Sequence, residues 1–170
     1  MTREERSRVL RAIATMVAVP ALMGLTGCAS SGPQSADSGY AALETRISAL
    51  PDVRDVKVAG SYNGLPTSRN LNLTVSVEDA TTADLPGFVD SVLREAWAFT
   101  SYSPKNVSIA MLDASTPVPS GTIPRPIDLE DAAATLGISH TSMTKDALVV
   151  PGDALEKLYG PWPGPTPTSR

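Results

Sequence analysis

Residues 71–111 read LNLTVSVEDATTADLPGFVDSVLREAWAFTSYSPKNVSIAM, and the change of hydrophobic period within this stretch decides the fold. At its start Leu71, Leu73, Val75 and Val77 alternate with Asn72, Thr74, Ser76 and Glu78, the period of two that sets one row of side chains on each face of a strand. Over residues 82–99 the period lengthens, and Leu85, Phe88, Val89, Val92, Leu93, Ala96 and Trp97 form the broad apolar stripe of an amphipathic helix. Thr81 or Thr82 is placed to cap that helix and Asp84 to sit in its first turn, while Pro86 is tolerated because it lies near the start. Alternation resumes at Val107, Ile109 and Met111. A strand, a long helix and a strand make a crossover unit, right-handed in almost all proteins. The helix is therefore expected across the apolar face of a sheet whose other face is wet.

Upstream, Val56, Val58 and Gly60 share one face of a further strand, and the intervening SYNGLPTSRN carries Asn63-Gly64 and Leu65-Pro66, the marks of a loop. These two strands are expected to form an antiparallel hairpin. Residues 39–50 place Ala42, Leu43, Ile47 and Leu50 at helical spacing, and Pro51 ends that helix. The order helix, strand, strand, helix, strand over about residues 40–113 resembles a ferredoxin-like α/β plait that lacks its first strand; the likeness is one of topology, without a shared motif. It implies an α+β fold, with a small three- to four-stranded sheet and helices packed on one face.

Downstream the expected organisation is simpler. STPVPSGTIPRP, with four prolines in twelve residues, is an extended connector. Asp128 is placed to cap a short helix through Leu136 that Gly137 stops, residues 147–150 suit a fourth strand, and residues 152–159 a last short helix. The final PWPGPTPTSR is expected to be extended and partly disordered. The resulting division is an α/β core domain at 39–113, a Pro-rich connector with a C-terminal helical extension at 114–160, and a Pro-rich tail at 161–170.

Of the 170 residues 42% are apolar and 19% charged, too apolar for a wholly disordered chain and too polar for a multispanning membrane protein. Only two Phe, two Trp and four Tyr supply aromatic bulk, so aliphatic side chains must fill the core. The charge is uneven. Residues 1–27 hold Arg3, Arg6, Arg8 and Arg11 against Glu4 and Glu5, which leaves 10 Lys plus Arg against 16 Asp plus Glu beyond them, a net of −6. A domain of that sign is expected to repel phosphate backbones and anionic lipid surfaces, so nucleic acid is not an expected partner.

The first eleven residues are polar and basic, and residues 12–25, AIATMVAVPALMGL, are apolar. That is the order of a secretory signal. The apolar run falls short of the roughly 18 to 20 residues a permanent span needs, and Pro20 interrupts it. Leu25-Thr26-Gly27-Cys28 follows and resembles the lipobox of bacterial lipoproteins at all four positions. The resemblance implies cleavage between Gly27 and Cys28, a diacylglycerol on the Cys28 sulfur, and Cys28 as the first residue of the mature chain. Localisation would then be at the cell membrane, lipid-anchored on the extracytoplasmic face, with residues 28–38 a lipidated flexible tether of small and polar residues. Cys28 is the only cysteine, so neither an internal disulfide nor a cysteine-based zinc site is expected.

Catalytic signals are weak. His140 is the only histidine and lies among Ser139, Thr141 and Ser142, yet no Gly-x-Ser-x-Gly elbow accompanies it, which favours a surface loop over a triad. Asp128, Glu130 and Asp131 lack the spacing of a calcium loop and suit the first turn of a helix. Glu78-Asp79 reads as the end of a strand and the start of a turn. No phosphate loop or dinucleotide fingerprint occurs, and no metal or cofactor is expected. Trp97 belongs to the helix stripe and is expected in the core. Trp162, between Pro161 and Pro163, has two readings: docking with Tyr159 into a partner's groove, or folding back with Tyr159 over an open edge of the domain. The expected function is a non-enzymatic, membrane-anchored envelope lipoprotein whose partners are membrane lipid, through Cys28, and an envelope protein. The alternative is a carrier holding an apolar small molecule or lipid between sheet and helix.

Overall fold

The computed structural model describes residues 36–62, 64, 68–78, 84–119, 121–122, 124–138, 142–144 and 147–165. They belong to one compact unit, and the expected signal segment, Gly27, Cys28 and His140 lie outside them. In chain order the elements are α1 (Ala36–Ser48), β1 (Val53–Tyr62), β2 (Arg69–Val77), α2 (Leu85–Trp97), β3 (Asn106–Asp113), β4 (Arg125–Pro126), α3 (Glu130–Thr135), β5 (Ser142–Thr144), β6 (Ala147–Pro151) and α4 (Gly152–Tyr159). The fold is α+β, as its period changes predict.

The sheet runs β1-β2-β3-β6-β5, with β4 beside the far end of β3. The hairpin β1-β2 is antiparallel, and α2 crosses over to bring β3 parallel to β2, Leu71 opposite Val107 and Val75 opposite Met111. In a split βαβ plait a crossover skips one strand. Here no strand lies between them among the described residues, and β2 and β3 pair directly. The outer edge of β3 is shared: residues 106–109 take β6 and residues 112–113 take β4, both antiparallel. The six strands exceed the three or four expected because β4 and β5 are two and three residues long, too short to show a period.

One face carries the core. Leu71, Leu73 and Val75 of β2, Val107, Ile109 and Met111 of β3, and Leu148 and Val150 of β6 are at most 1% exposed. The α2 stripe covers them with Val89, Val92, Leu93 and Ala96, and α1 adds Leu43 and Ile47. Each fully buried aliphatic side chain stabilises the fold by about 1.5–3 kcal/mol. The opposite row, Asn72, Thr74 and Ser76, is only half-buried. Beyond residue 113, Ala132, Ala133, Leu148, Val150 and Leu155 also lie in this core.

Several boundaries need correction. The helix α1 begins at Ala36, three residues inside the expected tether, because Ala and the polar residues after it continue the turn set by Leu43 and Ile47. Its expected apolar position Ala42 is exposed. The cap of α2 is Asp84, its carboxylate accepting the Gly87 N–H at 3.2 Å, with Pro86 in the first turn; the expected caps Thr81 and Thr82 lie outside the described residues. For α3 the Asp128 carboxylate accepts the Glu130 N–H at 2.9 Å, one residue ahead of the cap position, and Gly137 at φ 71° stops the helix as expected.

Edges are protected locally. The outward N–H of Val58 on edge strand β1 donates to the Glu44 carboxylate at 2.8 Å, so α1 occupies a position where another chain would pair. Between α1 and α2 the only buried charge among the described residues, Glu95, accepts from Arg46 Nε at 2.8 Å. Removing one partner leaves a carboxylate in a nearly dry site. Arg46→Met is expected to lower unfolding stability by about 2–3 kcal/mol, and Arg46→Met with Glu95→Leu by clearly less. A denaturant double-mutant cycle measures the difference, and additive losses would contradict the coupling.

Candidate functional site

A helix end leaves backbone carbonyls without partners, and what satisfies them at α2 builds the site. After α4 the chain turns at Gly160, φ 84°, and residues 160–164 cross the C-terminal end of α2 as a strap. The Gly164 N–H donates to Trp97 O at 3.1 Å, and the Trp162 indole N–H to Phe99 O at 2.9 Å. In return the Trp97 indole N–H donates to Gly160 O at 2.9 Å. Glycine is required at 164, because a Cβ there would come 2.6 Å from Trp97 Cδ1. Each indole is thereby fixed by a backbone carbonyl, Trp97 3% exposed and Trp162 half-buried.

Two backbone bonds bring further segments to the same place. Lys105 N–H donates to Arg69 O at 2.7 Å, and Gly152 N–H donates to Lys105 O at 2.9 Å. The start of β2, the α2–β3 loop and the start of α4 are stitched together. A Cβ on Gly152 would lie 2.8 Å from Pro104 O, so this close approach depends on glycine. The result is an open cleft of about 660 Å³ lined by Trp97, Trp162, Pro104, Lys105, Asp153 and Glu156. Its volume lies in the range of small-molecule and peptide-segment sites. Trp162 and Pro161 supply the accessible apolar surface, and one ammonium and two carboxylates supply directional charge at the rim.

A second hollow of about 290 Å³ lies at the other end of the sheet, among Arg54, Asp55, Ser76, Pro117 and Val118. Both hollows are at the rim of the domain. Between sheet and helices, where an apolar carrier would hold its ligand, Leu43, Leu73, Leu93 and Ile109 are at most 1% exposed and pack together.

The expected site residues fall as follows. Gly27, Cys28 and His140 lie outside the described residues, as does Asp79. Glu78 is exposed at the end of β2, where its N–H donates to Asp52 O at 2.9 Å. Trp97 is core, as expected. Tyr159 and Trp162 both pack against the core beside α2, and Trp162 also lines the cleft. The Tyr159 hydroxyl donates to Asp90 at 2.9 Å and its ring lies under the Arg94 guanidinium at 4.8 Å; Arg94 Nε in turn donates to Asp90 at 2.7 Å. Lys105, Asp153 and Glu156 carried no sequence signal of a site, since each is an ordinary surface charge until three distant segments meet.

Burial, and then the bond to Asp90, push the Tyr159 phenol well above its usual value. The folded state therefore holds this proton more tightly than the unfolded chain, a stabilisation present below about pH 10 and lost as pH rises through the folded value. Tyr102 is raised in the same way, by burial and its bond with Tyr40. Stability is expected to fall above about pH 10, and Tyr159→Phe to make that fall shallower. Urea unfolding across alkaline pH checks it, and identical slopes in both proteins would refute the buried phenol.

Comparison of the chain with protein families, with curated proteins and with solved structures finds no match.

Proposed function

We propose that the protein is a lipid-anchored, non-enzymatic recognition module of the cell envelope, held on the extracytoplasmic face through Cys28 and taking a segment of an envelope partner protein into the Trp97–Trp162 cleft. Support for the anchor comes from the basic start, the short apolar run and the Leu25-Thr26-Gly27-Cys28 box in that order. Two acyl chains hold a protein stably without a basic patch, because each buried methylene contributes about 0.8 kcal/mol.

The observation that carries the recognition half is the fixed Trp162. Its indole N–H is already bonded to Phe99 O, so the ring is held at the cleft before any ligand arrives and little entropy is lost on binding. A preorganised indole flanked by prolines suits an extended peptide backbone, and Asp153 and Glu156 favour one that carries a cation.

Two outcomes follow. Cys28→Ala is expected to release the protein from sedimented membranes, with intact mass of the native protein showing cleavage and acylation at Cys28; firm membrane association of the variant would refute the anchor. Glu156→Lys, an exposed change that leaves the strap intact, is expected to weaken recovery of the partner from native membranes about tenfold or more, as one unpaired rim charge of wrong sign costs on the order of 1.4 kcal/mol. Undiminished recovery with Glu156→Lys would move the contact away from the cleft.

A further inference from the structure

We infer that the end of the domain from which the tether springs docks on the phospholipid headgroup layer through Tyr62 and Arg69, an inference that rests on the Cys28 anchor proposed above. The tether limits which end faces the bilayer. Seven residues, 29–35, separate Cys28 from the start of α1, and fully extended they reach about 28 Å across the eight intervening steps. A domain of this size has a radius of gyration of about 14 Å, hence a diameter greater than that reach. The domain therefore cannot turn the end that holds the start of α1 fully away from the lipid surface.

Contacts identify that end. A Cβ on Gly39 would meet the Phe99 ring at 3.0 Å, and Tyr40 stacks on Phe99 with ring centres 5.6 Å apart. The Tyr40 and Tyr102 hydroxyls are 3.3 Å apart, and the guanidinium of Arg69 lies 5.1 Å from the Tyr102 ring and 5.0 Å from the Tyr62 ring. Arg69 Nε also donates to the Tyr62 hydroxyl at 3.1 Å. Tyr62 is 60% exposed, the most exposed large hydrophobic residue among those described.

The chemistry of this pair matches a headgroup layer. Tyrosine is enriched at membrane–water interfaces, where its ring meets apolar carbon and its hydroxyl stays wet. Beside it the Arg69 fork has N–H groups with no partner among the described residues, in the planar arrangement that grips phosphate oxygens. The mature chain carries a net charge of −6, so long-range electrostatics oppose approach to an anionic surface and the contact depends on local groups. Docking is local and acts on a domain that the anchor has already brought close.

The lone cysteine gives a clean test, because acylation of Cys28 leaves any introduced thiol as the one labelling site. The mature acylated protein, carrying a fluorophore at Ser61→Cys beside Tyr62 or at Val118→Cys at the opposite end, is reconstituted in vesicles of phosphatidylethanolamine and phosphatidylglycerol containing a nitroxide headgroup lipid. Quenching is expected to be much stronger at 61 than at 118. Adding Tyr62→Ser and Arg69→Ser to the Ser61→Cys protein is expected to lower the docked population about fivefold, from roughly one surface cation's worth of interfacial binding. Equal quenching at both positions, or quenching at 61 that survives the double change, overturns the docking while cosedimentation with vesicles still upholds the anchor. Loss of cosedimentation overturns both.

Discussion

Everything in this fold depends on the direct parallel pairing of β2 with β3 beneath α2. Parallel neighbours need a crossover, and the one here spends its helix on covering both inner rows at once, Leu71 to Val77 on one strand and Val107 to Met111 on the other. Were a strand inserted between them, as in the complete plait, α2 would have to span a wider sheet. With β2 and β3 paired directly, β3 keeps a free outer edge. That edge recruits the C-terminal third of the chain, β6 against residues 106–109 and β4 against residues 112–113, and so draws Leu148, Val150 and Leu155 into the same core.

Elements with several turns of their period were legible from the residues alone. The inner rows of β1, β2 and β3 and the stripe of α2 lie where their spacing places them, and α4 spans its expected residues. Period failed where it had nothing to act on. Two residues of β4 and three of β5 are strands only because a neighbour offers hydrogen bonds. The first turn of α1 looked like spacer because its residues are small and polar, whereas helix propagation from Leu43 and Ile47 carries it back to Ala36. Cap choice at α2 went to Asp84 rather than a threonine, since the helix begins beyond both threonines.

The cleft was less legible than the fold, for a different reason. Trp97 and Trp162 are 65 positions apart in sequence, and what joins them is the need of a helix end for donors. Proline and glycine around Trp162 announce an extended segment and say nothing of where it lies. Lys105, Asp153 and Glu156 come together through backbone bonds and a glycine at 152, none of which marks a binding side chain. A site assembled by main-chain stitching leaves no periodic mark on its side chains.

Phe99 links the two halves of the molecule's behaviour. Its carbonyl receives the Trp162 indole N–H at 2.9 Å, and its ring stacks on Tyr40 in the first turn of α1, 2% exposed. The wall of the cleft and the root of the tether thus rest on one residue. A rigid link of that kind has a directional consequence: whatever holds α1 near a surface also sets where the cleft opens, because the aromatic packing between them has no slack to rotate independently. A segment lodged beside Trp162 would therefore lie against the same continuous piece of core that holds the start of α1.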